Sequence, residues 1–182
     1  LGTQATAAVG ATTTINWLIG SSTVALSIGF LAFVSQACGS GDREKAVRAS
    51  SQAVLTTLVV GCLFTVITIS LSRKIPVWMQ VDPEIQQLAG TYFFILYTPM
   101  LFRTASIIFG TILRAVGDTK TPMQVGIWMN VINVVLNFLL IYPTKTYFGM
   151  TVPGAGLGVV GAAVASAVAF AFGGIAITVA LW

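Results

Sequence analysis

Histidine is absent from this chain, and Asp and Glu together number only 5 among its 182 residues. Without imidazole, and with Cys38 and Cys62 the only thiols, no zinc, haem or Cys/His catalytic grouping can be assembled. Both cysteines sit in apolar surroundings and are expected to be small buried thiols. Charge of either sign is scarce, at 8% of residues against about 25% in an ordinary soluble domain. The 9 Lys and Arg, which leave a net charge of +4, are scattered over separate loops. That scatter provides no clustered basic face, so nucleic acid is not expected as a partner. Alternation of apolar and polar residues with a period of two is also lacking, which argues against a transmembrane barrel. No paired carboxylates or activated nucleophile are in evidence, and the chain does not read as an enzyme.

What is present is hydrocarbon-compatible length. Hydrophobic residues make up 56% of the chain, and no charged side chain occurs from Leu1 to Gly41. Further charge-poor stretches run across 49–72, 88–102, 121–144 and 146–182. Each approaches or exceeds the ~20 residues that cross ~30 Å of lipid as a helix. The expected fold is therefore an all-α, polytopic membrane protein, a helical bundle with the lipid bilayer as its surround. About five transmembrane helices are expected, at 5–38, 49–72, 88–113, 122–142 and 157–182. The chain opens at Leu1 without a Met or a basic leader and stops at Trp182 inside an apolar run. On that ground it is expected to be an internal piece of a longer protein.

Local signals place the ends of these spans. The first is interrupted by Thr12, Thr13, Thr14, Asn16, Gly20, Ser21, Ser22, Ser27 and Gly29, so it is expected to face protein neighbours and bond across to them. Two half-helices broken near Gly20 are an alternative. Gly39-Ser40-Gly41-Asp42 ends that helix, and Asp42 caps the next, with Glu44 in its first turn. Asp82-Pro83-Glu84 repeats the start signal before the third span. Gly117 closes the third, Thr121-Pro122 opens the fourth, and Pro153-Gly154-Ala155-Gly156 reads as turn-prone ahead of the fifth. Gly154 and Gly158 form a GxxxG, followed by Gly161, Ala162 and Ser166, which points to close packing of the fifth helix. The turns at Gly41-Asp42 and Gly117-Asp118 resemble one another and hint at a repeated helix hairpin.

Two features carry functional expectations. Asn130, Asn133 and Asn137, with Gly126, lie at i, i+3 and i+7 spacing on one arc of the fourth span. Their carbonyls suit a hard cation or a carboxylic acid, and equally well suit hydrogen bonds that hold neighbouring helices. Arg103 lies inside the third span, on a stripe with Tyr92, Leu96, Pro99, Ser106, Gly110 and Arg114. A guanidinium at that depth either lines a protein or water cavity or snorkels toward the surface near Arg114. The loop Gly117-Asp118-Thr119-Lys120-Thr121 lacks the Gly-x-x-x-x-Gly-Lys pattern and reads as a turn between helices.

LRAVGDTKTPMQ, then NVINVVLNFLLIY and VPGAGLGVVGAAVAS, with AAVGATTTINWLIGSSTVALSIGFLAFVSQACGSGDREKA upstream, resemble the multidrug and toxic compound extrusion (MATE) family of secondary transporters. The resemblance covers nearly all the chain. It implies a twelve-helix transporter of two six-helix lobes, of which this chain matches helices two to six of the amino-terminal lobe. It implies a multi-pass protein of the plasma membrane that exports cationic or amphipathic drugs or metabolites by alternating access. The coupling ion is a proton or sodium and no cofactor is expected. Small-molecule substrate, the first helix and the second lobe are the implied partners. In that family a cation site forms around an Asp of the first helix with polar partners on the fifth, and Asn133 and Asn137 match those partners. Some relatives carry a second acid where Asn137 stands. A lipid-linked saccharide flippase of the same superfamily and a non-transporting membrane scaffold are the alternatives.

The charge asymmetry of the loops yields the first testable outcome. Arg43, Lys45, Arg48, Arg114 and Lys120 fall on one side and Arg73, Lys74 and Lys145 on the other, which makes the Gly-Asp turns cytoplasmic by the positive-inside rule. A single cysteine at position 45 should react with a membrane-impermeant thiol reagent only in inside-out vesicles. Labelling of that position in intact cells would reverse the topology.

Overall fold

The computed structural model describes residues 3–78, 83–147 and 150–182. Along the chain these form α1 (Thr3–Gly39), α2 (Arg43–Leu71), a single turn α3 (Ile75–Trp78), α4 (Pro83–Tyr97), α5 (Met100–Ala115), α6 (Lys120–Ile141), strands β1 (Pro143–Tyr147) and β2 (Met150–Ala155), and α7 (Gly158–Leu181). Helices α1, α2, α6 and α7 are each long and apolar enough to cross a membrane, and α4 and α5 together make a fifth, bent crossing.

Helix α1 runs without a break through Gly20, so the half-helix alternative is not what the chain adopts. Its hydroxyls do not bond across to neighbours as expected. Ser21 and Ser22 donate to Leu18 O, Thr23 to Ile19 O and Ser27 to Val24 O, all within their own helix. A preceding carbonyl is always within reach of a helical Ser or Thr, so the hydroxyl is satisfied before any neighbour is needed.

The expected span 88–113 is in fact two helices, bent by 45° across Thr98-Pro99. Pro99 has no N–H to offer, and its ring displaces the carbonyl four residues back, which breaks the ladder at that point. The ladder resumes at once with Arg103 N donating to Pro99 O at 3.1 Å. The single stripe from Tyr92 to Arg114 is thereby cut into two faces that point differently. The Asp82 start signal lies outside the described residues; Pro83 opens α4 with Glu84 behind it.

Between α6 and α7 the chain forms an antiparallel hairpin, with Pro143 opposite Ala155 and Lys145 opposite Val152. The sequence reading had seen only a turn there. Gly156 and Gly158, at φ 64° and 54°, make the left-handed exit from the hairpin into α7. Gly154 therefore belongs to a strand and Gly158 to a helix start, so the expected GxxxG face does not exist.

Close packing of α7 is built from other glycines. A Cβ at Gly174 would collide with the carbonyl oxygen and Cα of Phe102, one at Gly173 with the thioether of Met129, and one at Gly161 with the carbonyl of Leu140. These glycines draw α7 against α5 and α6, as small residues do where lipid supplies no hydrophobic drive for association. Helix α5 is central: Ile108, Phe109, Ile112 and Leu113 join Ala53 and Ile177 in one cluster, and Met100 joins Ile75, Phe93, Leu96 and Tyr97 in another. Helix α6 has no buried residue and leans mainly on α7. Exposed apolar side chains such as Leu55, Val59 and Val134 cover the outer faces, as lipid contact requires. Cys38 and Cys62 are exposed as well, contrary to expectation. An apolar neighbourhood in a membrane helix marks a lipid-facing position as readily as a core one.

Gly174→Ala should destabilise the bundle by about 1–3 kcal/mol, since the obstruction is backbone and cannot yield. Gly173→Ala should cost less because the Met129 side chain can swing away, and Gly126→Ala, which meets nothing within 4 Å, should be neutral or better. Thermal unfolding in detergent ranks the three.

Candidate functional site

The expected row of amides divides. Asn130 is exposed, and its Nδ2 donates back to Gly126 O of its own helix at 3.0 Å. Asn133 and Asn137 are half-buried and linked: Asn137 Nδ2 donates to Asn133 Oδ1 at 2.9 Å, and Asn133 Nδ2 donates to Ser166 Oγ on α7 at 3.2 Å. The chain ends on Asn137 Oδ1, which is buried and has no donor among the described residues. An unmet buried carbonyl costs about 1–3 kcal/mol, so this atom is poised for a donor or a cation. The described side chains assemble no group of three or more His, Cys, Asp or Glu. Amide and hydroxyl oxygens are what this site offers to an ion, a set suited to hard cations.

Arg103 does not snorkel. Its Nη1 donates to Asn16 Oδ1 of α1 at 2.8 Å, and its guanidinium carbon lies 5.0 Å from the centre of the Phe170 ring of α7. The same Asn16 oxygen accepts from the Tyr97 hydroxyl at 3.1 Å. Tyr97 and Arg103 stand on opposite sides of the Pro99 bend, so a single amide on α1 joins the two arms of the broken span. Gly20, one turn along α1, leaves room beside the guanidinium, where an added Cβ would come 3.7 Å from Nη2. Asn16 had entered the sequence reading only as one of several residues diluting a span; its sole signal was an amide among hydroxyls. Tyr97 and Phe170 gave none.

The two constellations meet on α7. Ser166, which receives Asn133, and Phe170, which lies under Arg103, are four residues apart and thus on one face, ~6 Å apart along the axis. A polar band therefore crosses the bundle from α6 through α7 to α5 and α1. Of the expected pathway residues, Asn133, Asn137 and Arg103 lie on it and Asn130 does not.

The Gly-Asp turns prove to share one geometry. Gly41 and Gly117 are left-handed, at φ 72° and 95°. Gly41 N donates to Cys38 O and Asp42 N to Ala37 O, as Gly117 N does to Arg114 O and Asp118 N to Leu113 O, the bond pair of a Schellman ending. Asp42 Oδ1 then accepts from Lys45 N, and Asp118 Oδ1 from Thr121 N, each at 3.0 Å. Each turn thus stops one helix and caps the next. The backbone N–H of Lys45, foremost, holds the Asp42 carboxyl below its usual range, and the hydroxyl and N–H of Thr121 do the same for Asp118. Lys120 is the exposed first residue of α6. Both turns lie at one end of the bundle, where Gly41, Arg43 and Val116 line a common cleft of about 680 Å³.

Comparison with known proteins places this geometry. Residues 1–139 match the MatE family model. The chain is 28% identical over 153 residues to "Probable multidrug resistance protein NorM" of Thermotoga maritima, covering 84% of this chain and 33% of that protein. It is 28% identical over 141 residues to "Probable multidrug resistance protein YoeA" of Bacillus subtilis, covering 78% and 30%. A crystal structure of a MATE protein in the bent conformation superposes with a TM-score of 0.86 at 23% identity, covering 97% of this chain and 37% of that one. An inward-facing multidrug resistance MATE family transporter of the MOP superfamily gives 0.84 at 23%, covering 98% and 38%. The chain thus spans about a third of the length of these relatives.

The turn geometry carries a pH dependence with a definite sign. A carboxyl whose pKa is lowered by folding stabilises the fold above its unfolded value, here 3.8, and loses that contribution as pH falls through the lower folded value. Thermal stability in detergent should therefore decline on the acid side, and Asp118→Asn, whose amide carbonyl still caps, should flatten that decline. Parallel acid limbs for the two proteins would refute the assignment.

Proposed function

The chain belongs to the MatE family, a family of transporters rather than enzymes, and on that premise we propose that it forms part of the amino-terminal lobe of a cation-coupled antiporter of the plasma membrane. The whole protein exports cationic or amphipathic drugs or metabolites in exchange for protons or sodium, its lobes rocking in alternating access. The names of the Thermotoga and Bacillus relatives support drug export. The observation that carries the coupling is the unmet Asn137 oxygen at the end of the Asn137–Asn133–Ser166 chain.

Amides orient an ion but cannot titrate. The five acids here, Asp42, Glu44, Asp82, Glu84 and Asp118, all flank spans, so the titratable or anionic ligand of the coupling site comes from the remainder of the longer protein. A carboxylate there, with Asn133 and Asn137 oxygens, makes a hard-cation site whose filling alters the packing of α6 on α7. A scaffold with no transport role would leave the buried acceptor and the intramembrane guanidinium without a purpose.

Vesicles containing the full-length protein and a fluorescent cation, with a proton or sodium gradient imposed, test this. Wild type should move the dye only with one of the gradients. Asn137→Ala should lower the coupled rate at least ~10-fold, the scale of losing one hydrogen bond to a charge, against a Ser22→Ala control of equal expression. Gradient-independent movement in wild type, or full coupling in Asn137→Ala, would sink the proposal.

A further inference from the structure

We propose that Arg103, set by Asn16 and Phe170, is a recognition site for a carboxylate of the transported molecule, so that the substrate range includes amphipathic acids and zwitterions as well as cations. The inference rests on the transport reading above and adds to it a chemical class.

The argument starts from what the guanidinium does not have. It carries five N–H donors in a rigid fork; one is met by Asn16 Oδ1. Salt bridges among the described residues join only Lys45 to Asp42 and Arg48 to Glu44, in the first Gly-Asp turn. Arg103 lies 12 residues from the end of α5 at Ala115, which is ~18 Å by helical rise. That is about mid-depth in a ~30 Å hydrocarbon layer, and every acid of the sequence flanks a span. The chain therefore holds a full positive charge at the depth where charge is most costly, without a counter-charge of its own.

Its surroundings are those of a receptor rather than a neutralising pair. An amide oxygen is a dipole: it orients the fork without cancelling its charge. The Phe170 face steadies the cation from a second side and presents apolar surface beside it. Tyr97 supplies a second donor at the same point, its hydroxyl already turned to Asn16 Oδ1. A guanidinium, a hydroxyl and an aromatic face are the chemistry that binds an aryl or alkyl carboxylate: two parallel N–H bonds to the oxygens and stacking for the apolar body. The missing Cβ at Gly20 keeps the space beside Nη2 open. A purely cationic cargo gains nothing from this corner and is repelled by it.

The test uses purified full-length protein in detergent and two probes, dansylated leucine and its methyl ester, whose binding is followed by fluorescence anisotropy. Arg103→Gln should weaken binding of the acid about tenfold more than binding of the ester, the scale of losing one charge-assisted pair. Arg103→Lys, which keeps the charge and loses the fork, should fall between and guards against a folding defect in the glutamine variant. Equal loss of both probes would mean that the guanidinium serves the fold or neutralises a carboxylate of the protein itself, and would overturn the inference; so would no loss of either. The binding assay needs no gradient. Discrimination that persists where no gradient drives transport would fell the transport reading and leave the carboxylate site standing.

Discussion

Hydrocarbon offers no hydrogen-bond partner, so every polar group that enters it must be met from within the chain, and this one requirement accounts for most of the local structure. It is why the hydroxyls of α1 and α2 turn back on their own carbonyls, as with Thr57 on Ala53 and Thr65 on Gly61. It is also why each Gly-Asp turn meets orphan groups on both sides of the junction: a Schellman ending spends the last carbonyls of one helix, and an Asp carboxylate meets an early N–H of the next. A looser turn would leave backbone groups unmet at the membrane edge.

Against that background the unmet groups stand out. Asn137 Oδ1 and Thr104 Oγ1 are buried without a partner among the described residues, and Arg103 has an amide where a carboxylate would be expected. A hydroxyl can still rotate toward a nearby carbonyl, so Thr104 is a mild case. A carboxamide fixed by its own donation to Asn133 has no such freedom, and a guanidinium cannot shed its charge. The two groups that cannot relax are the two that lie along the band linking α6, α7, α5 and α1.

Much of the architecture was legible in composition, because a charge gap of membrane length admits few interpretations. The ends of the spans were legible too, since Gly41-Asp42 and Gly117-Asp118 spell out the turn they make. What stayed hidden depended on geometry. Pro99 was placed on a continuous stripe because periodicity is blind to a bend, although a mid-span proline is itself a signal for one. The hairpin at 143–155 escaped because its two short strands are neither apolar nor clearly alternating. Gly173 and Gly174 escaped because their meaning lies in Met129 and Phe102, some forty-five and seventy residues away. Asn16 was written off as dilution for the same reason: its partners Tyr97 and Arg103 lie at separations of 81 and 87 residues. Asn133 and Asn137 were legible as a pair; that Asn130 stands apart follows from the rotation of α6 against α7, which no spacing rule supplies.

The band also has an electrostatic consequence. Ser166 and Phe170 are one turn apart on α7, so a cation held by Asn133 and Asn137 would lie within roughly 10 Å of the Arg103 charge. At an effective dielectric of ~20, two like charges at that distance repel by about 1.7 kcal/mol. This is a little more than a tenfold effect on binding, large enough to matter and too small to forbid occupancy. An anionic group seated on Arg103 would cancel the repulsion and favour ion loading; a cationic cargo nearby would add to it and favour ion release. Linkage of this kind is reciprocal, so each charge alters the affinity for the other by the same factor. A fixed guanidinium one turn from a neutral amide site therefore ties the sign of the cargo to the occupancy of the ion, and it does so through α7, the helix whose glycines hold it hard against both.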